Sequence, residues 1–149
     1  MTLQDDVKTL LTASSSLVTA FTGGIVTWDE TGGLGINRNS YAAAFDSNLQ
    51  LKPTILIRER AIIATPEITD EATQHTSVSQ SVDIHFMQDR RLGWGALETG
   101  QMTVFSLLQY RAVGTRRCTL RSHARMERDR GYDNACVLWS VYDTFMVLV

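Results

Sequence analysis

Val78-Ser79-Gln80-Ser81-Val82-Asp83-Ile84-His85-Phe86 alternates without a break. Val78, Gln80, Val82, Ile84 and Phe86 fall on one side of an extended chain, and Ser79, Ser81, Asp83 and His85 on the other. Successive strand side chains point to opposite faces, so this period of two marks a strand with one face on a core. Upstream, Pro53 opens a second strand, Thr54 to Ile63. Ile55 and Ile57 share one face, with Leu56, Arg58 and Arg60 on the other. Proline is accepted at a first strand position because no ladder bond is lost there. The intervening Thr65 to Ser77 is polar and acidic, with Pro66, Glu67, Asp70 and Glu71, and reads as a long loop.

Outside this centre the period changes. Leu3, Val7, Leu10, Leu11, Ser14, Leu17, Val18 and Phe21 recur at helical spacing. Thr2 is placed to cap this helix, Asp5 and Asp6 suit its first turn, and Gly23-Gly24 stops it. A short β-prone run, Ile25 to Trp28, follows. Residues 36 to 52 then read as an irregular connection with a helical turn near Tyr41 to Phe45. Asp89 begins a second helix running to about Ala112, with Leu97, Val104, Phe105, Leu108 and Ala112 as its stripe. Gly93, Gly95 and Gly100 weaken its first half, so its firm part is expected from Thr99. Thr119 to Arg128 alternates, with Leu120, Ala124 and Met126 inward and Arg121, His123 and Arg125 outward. Gly131 to Asn134 is a turn. Ala135 to Val149 is apolar on both faces, the mark of a central strand or of one covered by a partner.

The expected order is therefore α-β-β-β-α-β-β in one α+β domain spanning 1–149. It predicts an antiparallel sheet of four to five strands with two helices packed on one face. A chain of 149 residues buries roughly 70% of its unfolded surface, enough for one sizeable core. Its 44% hydrophobic content and net charge of -2 are those of a globular protein and point to no strong attraction for nucleic acid or membrane. Met1 to Asp6 has neither a basic n-region nor an apolar h-region, and no run of eighteen apolar residues occurs. The reading is neither secreted by a signal peptide nor membrane-spanning.

No constellation of catalytic residues emerges. His75, His85 and His123 lack the spacing of a metal site. Gly32-Gly33-Leu34-Gly35 lacks the lysine of a phosphate loop, and there is no G-x-S-x-G elbow. Cys118 and Cys136 are two buried thiols or cross-strand neighbours. No catalytic residue, cofactor or metal is assigned.

The charges are more informative. Twelve of the fourteen basic residues are arginine, whose planar fork suits carboxylate pairing at interfaces. Six lie between Arg116 and Arg130, opposed only by Glu127 and Asp129. Arg121 and Arg125 are expected on one strand face, with Arg58 and Arg60 on the same sheet surface. Three readings stand: a solvated face that blocks edge aggregation, an ion-paired subunit interface, or a positive ring around a DNA channel. The candidate interface comprises Arg58, Arg60, Glu67, Asp70, Glu71, Arg116, Arg117, Arg121, Arg125 and Arg128. A basic face meeting the acidic loop of the next copy gives a head-to-tail ring.

The layout, with its opening helix ending in Gly23-Gly24-Ile25, then Lys52-Pro53-Thr54-Ile55-Leu56-Ile57-Arg58-Glu59, then Phe105-Ser106-Leu107-Leu108, resembles the tail terminator (tail completion) proteins of long-tailed bacteriophages. The resemblance covers nearly the whole chain and is one of layout. It implies a virion protein, made in the host cytoplasm, whose copies close into a homohexameric ring at the head-proximal end of the tail tube. Its implied partners are itself, the tail tube protein, and a head-tail connector or stopper protein, with non-specific contact to DNA passing through the lumen. No catalytic residue carries over, since the family has none. The apolar C-terminal strand departs from the pattern, and neck and stopper proteins remain related alternatives.

Overall fold

A computed structural model describes residues 2–68, 74–114, 116–126 and 135–148; for 64–68, 74–77, 122–126 and 146–148 the description is of backbone alone. Helices α1 (Leu3–Thr12) and α2 (Ser15–Ala20) are followed by β1 (Gly24–Thr27), β2 (Thr54–Glu59), β3 (Ile63–Ile68) and β4 (Gln74–Asp89). Then come α3 (Gly95–Leu108), β5 (Ala112–Val113), β6 (Arg116–Met126) and β7 (Ala135–Leu148). The class is α+β, as expected, but the sheet has seven strands rather than four or five. It runs β1-β2-β4-β7-β6-β5, with β3 paired to β4 beside β2.

It is also mixed, not purely antiparallel. β1 runs parallel to β2, pairing Gly24 with Thr54 through Thr27 with Ile57. A parallel pair needs a crossover of a dozen or more residues, and residues 28–53 supply it.

The opening helix is two helices. Thr2 caps α1 in a capping box with Asp5. The chain breaks at Ala13, and Ser14, placed on the apolar stripe by its spacing, instead caps α2 by accepting from the Leu17 N–H. A polar side chain that satisfies an orphan amide competes with helix continuation. Asp89 caps a 3-10 turn, Arg90–Leu92, and the helix proper begins at Gly95. Gly100 is less a weakness than a notch: a Cβ there would lie 2.3 Å from the Phe21 ring. Gly23 likewise lets the backbone approach, since a Cβ would lie 2.0 Å from Thr54 Oγ1 and 2.9 Å from the Pro53 carbonyl.

The expected long loop is largely strand. β3 and the start of β4 pair from Ile63–Ser79 to Ile68–Gln74, leaving 69–73 outside the described residues. Pro66 fits because β3 is an edge strand, where a missing N–H costs no ladder bond.

Two cores sandwich the sheet. On one face Leu3, Val7, Leu11, Leu17, Phe21, Leu97, Val104 and Leu108 from the helices meet Ile55, Ile57, Ile84, Phe86, Leu138 and Tyr142. All three helices share this face, as the alternation in β4 requires. On the other, the crossover lays Ile36, Ala44, Phe45 and Leu51 over Val26, Leu56, Met87 and Val137. β7 is central, paired with β4 from Ala135 to Leu148 and with β6 along its other edge. Its two-sided apolarity is therefore mostly consumed within the chain: Val137, Leu138, Val141 and Tyr142 are all buried.

A register shift between Leu120 and Ser122 makes Arg121 the extra residue of a bulge. Beyond it the alternation reverses, so Ala124 pairs opposite Trp139 and Arg125 opposite Leu138. Arg121 and Arg125 therefore do not share one strand face, and the inward assignment of Ala124 and Met126 fails with it. The same register separates the cysteines. Cys118 lies opposite Thr144, and Cys136 opposite Gln88 on the other side of β7. Thr144 and Cys136 are eight residues apart on β7, about 26 Å along a strand, so the cysteines are not cross-strand neighbours; both are buried.

Candidate assembly interface

The crossover covers only half of the sheet's outer face. Moving away from it, side chains on that face come in cross-strand rows. His85 and Trp139 pair first and stack, their rings 5.7 Å apart and 17° from parallel. Next is Arg58, opposite Asp83, with its guanidinium 4.1 Å from the centre of the Trp28 ring. Trp28 is held there by its backbone N–H, which donates to the Ile57 carbonyl. A cation over an indole face is an attractive, partly desolvated pairing.

The third row is ionic. Arg60 Nε donates to Asp83 Oδ2 at 3.1 Å, with Nη2 3.0 Å from Oδ1. Arg121, thrown onto this face by the bulge, donates to Asp143 through Nε at 3.0 Å, with Nη2 2.7 Å from Oδ1. The Ser81 hydroxyl also donates to Asp143 Oδ1, at 2.7 Å. The last row is Ile63, Ser79, Phe145 and Arg117, paired in that order across β3, β4, β7 and β6. Ile63 is 64% exposed and Phe145 50% exposed, with Ile62 and Arg117 exposed beside them. An apolar edge thus borders a charged field.

The structure gathers Arg58, Arg60, Arg117 and Arg121 onto this face. Arg116 turns the other way, donating to the buried Gln80 side chain. Arg125 has only its register position opposite Leu138, and Glu67 only its position in β3 opposite His75. Asp70, Glu71 and Arg128 lie outside the described residues. Sequence reasoning missed Trp28 as Arg58's partner, and Ile63 and Phe145 as members of one row on either side of Ser79, because each placement depends on pairing between distant strands.

It also missed the polar contacts that tie α1 to the β1–β2 edge. Gln4, almost fully buried, donates from its backbone N–H to Glu59 Oε2 at 3.0 Å and from Nε2 to Asp29 Oδ2 at 2.6 Å. Lys8 is ion-paired to Glu30. Asp5, in the first turn of α1, is taken up by the Thr2 cap, and Asp6 lies beside Gly114. Leu34, 72% exposed, belongs instead to the outer face: it sits between Gly33 and Gly35, whose backbones approach the Trp28 ring.

Nothing in the described residues resembles a reaction centre. No group of three His, Cys, Asp or Glu side chains is placed to hold a metal among them. His85 and His123 sit on β4 and β6 with β7 between them. Burial pushes the Cys118 thiol up to about 12, so it stays protonated and unreactive at neutral pH. Burial, then the neighbouring Cys118, pushes the Tyr142 hydroxyl upward too. A groove of about 740 Å³ between the α1–α2 turn and the end of α3 is lined by Leu10, Ser14, Leu107 and Arg111 without a paired acid and base. No helix in the described residues is long and apolar enough to cross a membrane.

No family profile matches the sequence, and no curated protein matches it. Among solved structures the chain is similar to one described as "Virion of native gene transfer agent (GTA) particle", with a TM-score of 0.60 over 96% of this chain and 92% of that one. At 9% identity the likeness is one of fold.

Proposed function

We propose that this protein is a structural component of a phage-like virion, acting as the tail terminator that caps the head-proximal end of the tail tube and joins it to the head connector. The observation that carries the reading is the end-to-end fold likeness to a chain of a gene transfer agent virion. The open half of the outer sheet face supports it, since large apolar and guanidinium groups left at a surface suit protein contacts. Work of this kind needs repeated surfaces rather than a pocket, and copies closing into a ring provide them.

A stopper or other neck protein built on the same fold is the nearest alternative, because it would use the same kind of surface. The nucleic-acid reading is less well supported. Of the four arginines on the open face, two are engaged by Asp83 and Asp143, and paired guanidinium groups release few counterions on meeting a phosphate backbone.

The test is tube growth. Purified protein added to polymerising tail tube subunits is expected to stop elongation, leaving short tubes with extra density at one end in negative-stain micrographs. Tubes of unchanged length with bare ends would overturn the terminator reading. A ring that instead bound the head connector and ignored the tube would assign the protein to the neck.

A further inference from the structure

β5 ends the sheet beyond β6, and no strand lies along its other edge among the described residues. The Cys118 N–H donates to the Arg111 carbonyl. Hydrogen-bonded and non-bonded pairs alternate along an antiparallel ladder, so Ala112, opposite Arg117, turns its own N–H and carbonyl away from β6. Ala112 also lines the groove of about 740 Å³ between the α1–α2 turn and the end of α3. Leu10 and Leu107, partly buried against the helix-side core, give that groove an apolar wall. Arg111 lies exposed at the same groove, and among the described residues no carboxylate pairs with it. Beside it Tyr110 has a φ of 58°, a left-handed backbone that at a helix end is usually given to glycine. The ring is 71% exposed, so burial in the core does not offset the strain. Tyrosine and arginine are among the side chains that most often anchor protein contacts.

We propose that this edge and groove receive an extended segment of a partner protein, which adds as a further strand at Ala112 and brings a carboxylate to Arg111. Strand addition satisfies the outward N–H and carbonyl of Ala112 with a pair of main-chain bonds. Only two residues form β5, so that ladder is short and side chains supply most of the selectivity. An apolar side chain of the segment fills the groove against Leu10 and Leu107, removing both from water. The carboxylate meets the Arg111 guanidinium in a charge-assisted pair, and Tyr110 beside it shields that pair from solvent. The contact uses the helix side of the molecule, not the open sheet face. It stands whether the protein caps a tube or sits in a neck.

Three capped peptides test this on the full-length protein, each alternating leucine and threonine around a central glutamate, glutamine or lysine. In amide NMR spectra the glutamate peptide should shift Leu10, Leu107, Arg111 and Ala112, and it should slow hydrogen exchange at the Ala112 amide. Its affinity should exceed that of the glutamine peptide about tenfold, with the lysine peptide weakest. Arg111→Ala should erase that order. Tyr110→Gly should weaken all three peptides yet melt no lower than the wild type, since glycine suits a positive φ. Shifts confined to other surfaces, or equal binding of the three peptides, would overturn the site. An Ala112 amide that exchanges equally fast with and without peptide would overturn strand addition. Shifts of the same amides that grow with protein concentration alone would make the occupant a second copy and overturn the partner assignment. A Tyr110→Gly variant that melts lower and binds unchanged would overturn the part given to Tyr110.

Discussion

The two halves of the outer sheet face differ in what lies over them. Across one half the crossover lays Phe45 and Leu51 on Leu56, Met87 and Val137. Across the other, the described residues leave Arg58, Arg60, Arg121 and Phe145 facing outward. The strands are the same in both halves, and so is the alternation; only the cover changes. Substitutions in the covered half should therefore act on folding, and those in the open half on association. Four expectations press on that division.

The largest effect belongs to the covered half. Leu51→Ala empties a fully buried site and should cost about 3 kcal/mol in urea unfolding, as large-to-small changes in well-packed cores do. A loss below about 1 kcal/mol would mean that the crossover is loosely laid and that the two halves are not distinct.

Next comes Arg60→Ala, at the boundary. Asp83 is only 7% exposed, so removing its cation strands a largely desolvated carboxylate. A destabilisation of about 1–2 kcal/mol at pH 7 is expected. Asp83→Asn combined with Arg60→Ala should recover part of it, because the stranded charge is gone.

The third expectation concerns the helix side, where both faces of the comparison are anchored. The Cys118 thiol is raised to about 12 when folded and ionises near 8.5 when unfolded. Above that lower value the unfolded chain releases a proton that the folded chain keeps, so stability falls as pH rises. By pH 9.5 the loss should reach about 1 kcal/mol, with Tyr142, also raised, adding to it at higher pH. Cys118→Ala should flatten the first part of this slope in denaturant titrations at pH 8 to 10.

The smallest effect is Phe145→Ala. With half its surface already in water, it should change stability by less than about 0.5 kcal/mol. It should nevertheless reduce assembly in light scattering. A stability cost near that of Leu51→Ala would erase the distinction between the halves.

Much of the fold is legible in the sequence where one strand carries its own full pattern. Val78 to Phe86 shows both faces at once, and the Leu3–Phe21 stripe shows which side the helices take. β3 is hidden because Thr65, Pro66 and Glu67 suppress the apolar alternation by which strands are recognised. The bulge at Arg121 is hidden for a different reason: a period of two read forward assumes that no residue is inserted. The two-sided apolarity of β7 is plain in the sequence, but most of it reflects a central position and a crossover cover, with Phe145 left half-exposed. In the candidate interface Arg58, Arg60 and Arg121 are legible as charges. Their partners Trp28, Asp83 and Asp143 are not, since each lies on another strand or loop and is brought near only by the register. The meeting of Glu59 and Asp29 depends on Gln4, a polar residue on an otherwise apolar helix face, whose two hydrogen bonds cannot be read from spacing.

Hydroxyl-radical footprinting across a concentration series measures the central division directly. Phe45 should be protected at every concentration, since the chain's own fold covers it. Phe145 should be oxidised readily in dilute solution and become several-fold less reactive as copies associate. Equal reactivity of Phe145 in the dilute and assembled states would contradict the account.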